Sequence, residues 1–136
     1  MMPTEPLDDP PAVPGPVTVL LVDDEDSVRE YTRKVLELTG YAVLPAGSAD
    51  AAERLFRRDP DRVSLVLTDV MMPGRTGPEL ARTLWAIRPG VPVLFMSGFV
   101  GEAGPLPGGA DLLEKPFAPD AVLAAVRRMV GPPRAG

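Results

Sequence analysis

Cysteine and histidine are both absent from this sequence. Without cysteine the chain cannot form a disulfide or a thiolate metal site, and without histidine it cannot build a histidine-ligated zinc site or a Ser-His-Asp triad. The missing histidine also means that no phosphohistidine can form within the chain. Any such group would have to come from a partner protein.

Long apolar runs and a surplus of basic residues are missing as well. No stretch reaches the roughly 18 consecutive apolar residues of a membrane-spanning helix, and the N-terminus lacks the basic and apolar regions of a signal peptide. We therefore expect a cytoplasmic protein without a membrane partner. The net charge of −5 argues against a nucleic-acid partner, which would need a basic surface.

The sequence does contain enough apolar residues for one folded domain, since 45% of its 136 residues are hydrophobic. Residues 1–16 are rich in proline and include several acids, so they are predicted to form a disordered tail or linker. Residues 132–136 are predicted to form a second, short disordered tail. The folded domain is expected to span residues 17–131.

Apolar strand-like segments alternate with helix-like segments across this domain. Short apolar runs predict strands, and amphipathic segments of about 10–13 residues predict the helices between them. The predicted strands are residues 17–22, 41–44, 63–68, 92–96 and 111–114, and the predicted helices begin near Ser27, Ser48, Thr76 and Pro119. This alternation indicates an α/β fold with a parallel sheet covered by helices on both faces.

Two of the predicted helices begin with the spacing of a capping box, in which Ser or Thr is followed three residues later by Glu. These pairs are Ser27 with Glu30 and Thr76 with Glu79. Asp26 is interpreted as a further cap of the first helix, because its carboxylate can accept hydrogen bonds from free amides of the first turn.

Polar residues follow four of the predicted strands. Asp23 and Asp24 follow the first strand, Asp69 the third, Ser97 the fourth and Lys115 the fifth. Parallel strands end at one edge of a sheet, where α/β proteins bind ligands, so we expect these side chains to share a pocket. Two carboxylates about 5 Å apart repel by roughly 3 kcal/mol at an effective dielectric constant near 20. A hard cation with oxygen ligands, such as Mg²⁺, would remove that cost.

The same segments resemble the receiver domain of two-component response regulators over residues 17–131. The matching motifs are Val22-Asp23-Asp24-Glu25, Leu67-Thr68-Asp69-Val70-Met71-Met72-Pro73-Gly74, Met96-Ser97-Gly98 and Glu114-Lys115-Pro116-Phe117. They are most similar to the receivers attached to the C-terminus of hybrid sensor kinases. The resemblance implies a flavodoxin-like (CheY-like) sheet of five parallel strands in the order 2-1-3-4-5.

The resemblance also implies a role for each polar residue at the predicted sheet edge. Asp69 would be the phosphoacceptor, Lys115 the cation that binds the phosphoryl group, and Ser97 the hydroxyl that senses it. Asp24 would bind Mg²⁺ directly, and Asp23 would act mostly through a bound water.

Further expectations follow from the same resemblance. The backbone carbonyl of Met71 would join Asp69 as a metal ligand, with Mn²⁺ as an alternative ion, and the peptide bond between Lys115 and Pro116 would be cis. The partner would be a sensor histidine kinase or a histidine phosphotransfer protein, and the receiver itself would be monomeric. Its catalysis would be limited to its own phosphoryl transfer and the hydrolysis of its aspartyl phosphate.

Two other functions would use similar residues. A carboxylate-nucleophile phosphatase would share the sheet, Mg²⁺ and an aspartyl phosphate, but such enzymes resemble a pattern with a second aspartate where this chain has Met71. A phosphate-independent pseudo-receiver would only bind other proteins, and the full set of acids and lysine disfavours it. At the level of single residues, Asp24 could instead cap a helix, and Ser97 could be an ordinary turn residue.

The chain departs from the family pattern between the fourth and fifth strands. Residues 99–110 include four glycines and two prolines, which cost about 1 and 3 kcal/mol each relative to alanine inside a helix. We expect the helix that receivers usually form here to be short or absent, and residues 99–109 to be mobile. Leu112 stands where receivers usually have an aromatic switch residue, so we expect the dimer surface made by this helix and the last helix to be impaired.

Overall fold

The computed structural model describes residues 16–98, 106–107 and 110–133. Within these ranges five strands alternate with four α-helices and one short 3₁₀ turn. Their bounds are β1 Thr18–Val22, α1 Asp26–Thr39, β2 Ala42–Ala46, α2 Ala49–Arg58, the 3₁₀ turn Pro60–Arg62, β3 Leu65–Asp69, α3 Gly77–Ile87, β4 Val93–Ser97, β5 Asp111–Glu114 and α4 Pro119–Val130. No helix in this part of the chain has the length and apolar composition needed to cross a membrane.

The strands form one parallel sheet in the order β2-β1-β3-β4-β5. This order confirms the flavodoxin-like α/β fold expected from the sequence. The strand ends are aligned by the register, in which the paired residues are Val22 with Thr68, Asp69 with Met96, and Ser97 with Glu114. The residues that follow β1 and β5 are therefore placed beside the ends of β3 and β4.

Alternate residues of the strands pack against two helical layers. Helices α2 and α3 contact each other, as do α1 and α4, so each pair covers one face of the sheet. The α2–α3 face buries large side chains that include Leu20, Val66 and Phe95, together with Phe56, Leu80 and Leu84 of the helices. The α1–α4 face buries Leu21, Leu67 and Met96, together with Leu36, Val122 and Val126. Each such side chain contributes about 1.5–3 kcal/mol on burial, so the sheet is a rigid support for its C-terminal edge.

Helix α1 begins earlier than the sequence predicts. It starts at Asp26 with Glu25 as its N-cap, and no side chain makes a capping hydrogen bond. The predicted capping box of Ser27 with Glu30, and the interpretation of Asp26 as a cap, are therefore wrong. The reason is local, because the Asp23 carboxylate accepts a hydrogen bond from the Glu25 amide at 2.9 Å and turns the chain into the helix ahead of Ser27.

The second predicted capping box is confirmed at the start of α3. The Thr76 hydroxyl accepts a hydrogen bond from the Glu79 amide at 3.2 Å, and the Glu79 carboxylate accepts one from the Thr76 amide at 2.9 Å. Strand β2 extends to Ala46, two residues beyond its predicted end, and Ser48 caps α2 by accepting from the Ala51 amide. These differences at element ends leave the predicted topology unchanged.

Several predictions concern segments that lie outside the described residues. They are residues 1–15 of the disordered tail predicted over residues 1–16, the last three residues of the tail predicted over residues 132–136, and most of the connector between β4 and β5, at residues 99–105 and 108–109. The predicted loss of a helix in that connector and its predicted mobility therefore stay predictions.

Candidate functional site

Three aspartates meet at the C-terminal edge of the sheet. Asp69 is the last residue of β3, and Asp23 and Asp24 directly follow β1. Each places one carboxylate oxygen within 4.8 Å of the others. Asp23 is fully buried and Asp69 is 7% exposed, whereas Asp24 faces solvent. The cluster thus has a buried floor and an open side.

Lys115, the residue after β5, lies across this cluster. Its Nζ donates a hydrogen bond to Asp69 Oδ2 at 3.1 Å, lies 3.0 Å from Asp23 Oδ2, and lies 3.6 Å from Glu25 Oε1. Its backbone amide donates to the Ser97 carbonyl at 2.8 Å, which fixes the base of the side chain. The Lys115–Pro116 peptide bond is cis, as the sequence resemblance implies. One ammonium group therefore pairs with two buried or nearly buried carboxylates.

The backbone around Asp69 is held on both sides. The Val70 amide donates to the Met96 carbonyl at 2.9 Å, and the Gly77 amide donates to the Val70 carbonyl at 2.8 Å. Helix α3 begins so close to the strand end that a Cβ at Gly77 would stand 2.1 Å from the Asp69 carbonyl oxygen. Only glycine fits at this position, and its absence of a side chain lets α3 fix the end of β3.

The loop after Asp69 is also tied to α2. Arg75 in this loop pairs with Asp50 at 2.7 Å and with Glu53 at 2.9 Å, and both acids lie on α2. Exposed ion pairs contribute little free energy individually. These pairs nevertheless connect the loop that carries Met71 to α2.

A cavity of about 270 Å³ opens beside the aspartates, and the residues that line it are Asp24, Glu25, Asp69, Met71, Gly98 and Lys115. Four of the residues singled out in the sequence therefore share one cavity wall. Asp23 lies beneath that wall, with no exposed surface. Ser97 is 1% exposed and directly precedes the lining residue Gly98. Met71 is 49% exposed.

Burial and neighbouring charges shift the pKa values of both Asp69 and Lys115. Burial and the negative charge of Asp23 raise the pKa of Asp69 to about 6, although the hydrogen bond from Lys115 acts in the opposite direction. Burial disfavours the Lys115 ammonium, but the carboxylates of Asp23 and Asp69 outweigh that cost and raise the Lys115 pKa above its ordinary value. Lys115 therefore stays positively charged at neutral pH, whereas the Asp69 carboxyl titrates at a pH slightly below neutrality.

The donor set fits a hard divalent cation. Asp23 Oδ2 is buried and close enough to Lys115 Nζ for ionic attraction, yet among the described residues it accepts no hydrogen bond of good geometry. The Lys115 ammonium beside this oxygen is shared with Asp69, so a divalent cation would still lower the cost of the clustered carboxylates. Asp24 and Asp69 add two more oxygen ligands of the type that Mg²⁺ prefers.

Two residues near the site were not identified from the sequence. Glu25 lies within reach of Lys115, and Arg29 Nη1 donates a hydrogen bond to the Asp23 carbonyl at 2.7 Å. The spacing of Asp26 and Arg29 is an ordinary ion-pair spacing on a helix. Such spacing is typical of a surface ion pair, and nothing in the sequence indicated the contact with the Asp23 backbone.

Comparison with known proteins identifies the family. A family model described as "Response regulator receiver domain" matches residues 19–127. The chain belongs to this family. The receiver is 36% identical over 120 residues to the sensor kinase CckA of Brucella abortus, covering 85% of this chain and 13% of the kinase. It is 39% identical over 119 residues to the response regulator MprA of Mycolicibacterium vanbaalenii, covering 85% of this chain and 51% of that regulator.

Solved receiver structures are similar to this receiver over most of its length. The crystal structure of a response regulator receiver domain protein from Clostridium thermocellum has a TM-score of 0.78 at 25% identity, covering 84% of this chain and 94% of that one. The receiver domain of the hybrid histidine kinase CckA has a TM-score of 0.74 at 29% identity, covering 83% of this chain and 98% of that domain. The receiver thus spans nearly all of these domains, but about half or less of the curated relatives named above.

Proposed function

We propose that this receiver accepts a phosphoryl group on Asp69 from the phosphohistidine of a sensor histidine kinase or a histidine phosphotransfer protein. The observation that carries the proposal is the position of Lys115 Nζ, 3.1 Å from Asp69 and 3.0 Å from Asp23, in a cavity that the exposed Asp24 also lines. A charge cluster with so little solvent is expensive, and such clusters are concentrated at functional sites.

In the proposed reaction an Oδ atom of Asp69 attacks the phosphorus of the partner's phosphohistidine. The new P–O bond forms as the P–N bond breaks, and the electron pair of that bond stays on the imidazole nitrogen of the partner. Because the pKa of Asp69 is about 6, its carboxylate is ionised at neutral pH and is available as the nucleophile. The Lys115 ammonium then pairs with the transferred phosphoryl oxygens as it paired with the carboxylate before transfer.

Mg²⁺ is the cation we expect at this site, with Mn²⁺ as an alternative. The residues that would hold it are Asp23, Asp24 and Asp69, with the backbone carbonyl of Met71 as a further ligand. When bound, the cation would neutralise the carboxylates and the charge on the phosphoryl oxygens. The close approach of the three carboxylates, two of which share the Lys115 ammonium, supports this assignment.

Ser97 is proposed as the hydroxyl that responds to phosphorylation. It stands at the end of β4, between the strand that neighbours Asp69 and the loop that begins at Gly98. Since Ser97 is 1% exposed, we expect this loop to shift when the Ser97 hydroxyl donates a hydrogen bond to a phosphoryl oxygen. That shift would be the local output of the switch.

The test is incubation with Mg²⁺ and acetyl phosphate, followed by measurement of the intact mass. We expect uptake of one phosphoryl group that the Asp69→Asn variant does not show. A wild-type protein that stays unmodified would favour the pseudo-receiver, whose only activity is protein binding. Sustained turnover of generic phosphomonoesters would favour the phosphatase.

The setting of the receiver is proposed on the same grounds. We infer a monomeric, cytoplasmic domain that does not bind nucleic acid, in keeping with the net charge of −5. Its relatives include a sensor kinase and a response regulator that are both longer than this chain. Whether the domain belongs to a sensor kinase or to a response regulator, the proposed reaction is the same phosphotransfer with a phosphohistidine-bearing protein.

A further inference from the structure

We propose that Arg29 is a positioning residue that holds the metal-binding turn after β1, through a hydrogen bond to the backbone carbonyl of Asp23. Because this role needs a bound cation, it rests on the function proposed above. It adds to that function a residue that touches neither the cation nor the phosphoryl group.

The Arg29 guanidinium joins the two ends of the turn that carries Asp24. Nη1 donates to the Asp23 carbonyl at 2.7 Å, and Nη2 donates to the carboxylate of Asp26 at 2.6 Å. Asp23 directly follows β1, and Asp26 is the first residue of α1. The planar guanidinium suits such a two-point contact, since its donors have fixed relative directions.

Arg29 also lies against the connection between β2 and α2. Its Nη1 is 3.4 Å from the place where a Cβ at Gly47 would stand, and its side chain is 23% exposed. Gly47 follows Ala46, whose carbonyl accepts a hydrogen bond from the Asp23 amide at 3.1 Å. The guanidinium therefore has neighbours on α1, on the turn after β1 and on the connection between β2 and α2, unlike an ordinary surface ion pair.

Only one polar atom of Asp23 is left to face the cation site. Its amide is bound by Ala46, its carbonyl by Arg29, and its Oδ1 by the Glu25 amide. The remaining atom is Oδ2, which lies toward Lys115 and accepts no well-aligned hydrogen bond within the described part of the chain. The direction of Oδ2 thus depends on a backbone that Arg29 helps to fix.

The sign of the expected effect distinguishes positioning from simple electrostatics. Removing a positive charge from the neighbourhood of a cation site should tighten Mg²⁺ binding if charge alone matters. Removing a group that orients metal ligands should weaken binding, typically by about 10–100-fold. The two explanations therefore predict opposite changes for the same substitution.

The experiment compares Arg29→Met with Arg33→Met by calorimetric Mg²⁺ titration at neutral pH. Arg33 is a matched control, because it lies one turn further along α1 and pairs there with Glu30 and Glu37 on the helix surface. Both variants lose one positive charge and the ion pairs of one arginine. We expect Mg²⁺ to bind Arg29→Met about tenfold more weakly than wild type, and Arg33→Met with unchanged or slightly higher affinity.

Equal or tighter Mg²⁺ binding by Arg29→Met would overturn the proposal. If circular dichroism shows that Arg29→Met is unfolded, Arg29→Lys carries the test, because it keeps the charge but replaces the two fixed guanidinium nitrogens that contact Asp23 and Asp26 with a single ammonium nitrogen. Its affinity should fall between those of wild type and the expected Arg29→Met value, and wild-type affinity would count against positioning. A wild-type protein that binds no Mg²⁺ would refute the cation assignment itself, and with it this role.

Discussion

Asp69 has to be ionised to act as a nucleophile, yet its surroundings favour the protonated form. Burial and the charge of Asp23 move its pKa from the ordinary 3.8 to about 6. Between these two values the folded protein holds a proton that the unfolded chain has released. In the absence of metal, the free energy of unfolding therefore falls as the pH rises from 3.8 to about 6, because Asp69 must then lose its proton in a largely buried position.

This titration predicts a pH-dependent difference between wild type and Asp69→Asn. In the presence of a chelator at neutral pH, the variant should be the more stable protein by on the order of 1–3 kcal/mol. The reason is that the asparagine amide is uncharged, so its burial does not carry the cost of burying a carboxylate anion. The difference should shrink as the pH falls through about 6. Urea unfolding of both proteins at several pH values measures this difference in unfolding free energy. A difference that does not change with pH would contradict the raised pKa of Asp69 in the folded protein.

Asp24 tests whether the carboxylate cluster binds a cation. Mg²⁺ at about ten times its dissociation constant should stabilise the wild-type protein by about 1.4 kcal/mol through mass action, and Asp24→Ala should lose most of this gain. Thermal unfolding with and without Mg²⁺ gives the comparison, with Asp61→Ala, at an exposed aspartate in the 3₁₀ turn before β3, as the control. If Mg²⁺ stabilises Asp24→Ala as much as wild type, Asp24 is no ligand.

Much of the candidate site was predictable because its residues are fixed to the ends of strands. Once the strands were recognised, Asp23, Asp69 and Lys115 could only meet at one edge of the sheet. The contacts of Arg29 and Glu25 were not predictable in this way. Both depend on side chains that reach across a turn to atoms that carry no sequence signal, in particular the backbone carbonyl of Asp23.

At the scale of elements, the approach of α3 to the end of β3 is the tightest constraint on the site. A Cβ at Gly77 would stand 2.1 Å from the Asp69 carbonyl oxygen, so Gly77→Ala must move the helix or the strand. We expect a loss of about 1–3 kcal/mol in unfolding free energy, as for other overpacking substitutions, together with weaker Mg²⁺ binding.

Gly47→Ala is the control for that substitution. A Cβ at Gly47 would first meet the flexible Arg29 side chain at 3.4 Å, which is an ordinary contact distance. Its unfolding free energy, measured by urea titration beside that of Gly77→Ala, should stay close to wild type. Equal stability of the two variants would mean that α3 does not press on the end of β3.

The helix ends show where local sequence signals succeed and fail. Thr76 and Glu79 form the capping box that their spacing predicts, in which each side chain accepts a hydrogen bond from the other residue's amide. The same spacing at Ser27 fails, because the Asp23 carboxylate has already turned the chain and α1 starts one residue earlier. A capping signal therefore indicates that a helix is near, while tertiary contacts decide the residue at which it begins.

At the scale of the whole molecule, the strand order followed from the motifs and the family resemblance, and the structure confirms it. The output of the domain is less determined. The glycines and prolines between β4 and β5 predict a short or absent helix there, and Leu112 on the edge strand β5 is 37% exposed with no ring or hydroxyl to act as a switch. A local shift of the loop at Gly98 is therefore the output we expect.

This view predicts that activation leaves the receiver monomeric. Light scattering after size exclusion, with Mg²⁺ and beryllofluoride added, should give the same mass as the untreated protein. The untreated protein and Asp69→Asn with the same additions serve as controls. A tight dimer that forms only on activation, and that substitutions on α4 disrupt, would show that the usual dimer surface is intact.

We propose that Asp69 alone accepts the phosphoryl group. The most direct measurement treats the protein with Mg²⁺ and acetyl phosphate, reduces the acyl phosphate with borohydride, and locates the modified residue by peptide mass spectrometry. We expect a single modified residue, Asp69, and no uptake by Asp69→Asn. Modification of a different aspartate, or equal uptake by Asp69→Asn, would contradict it.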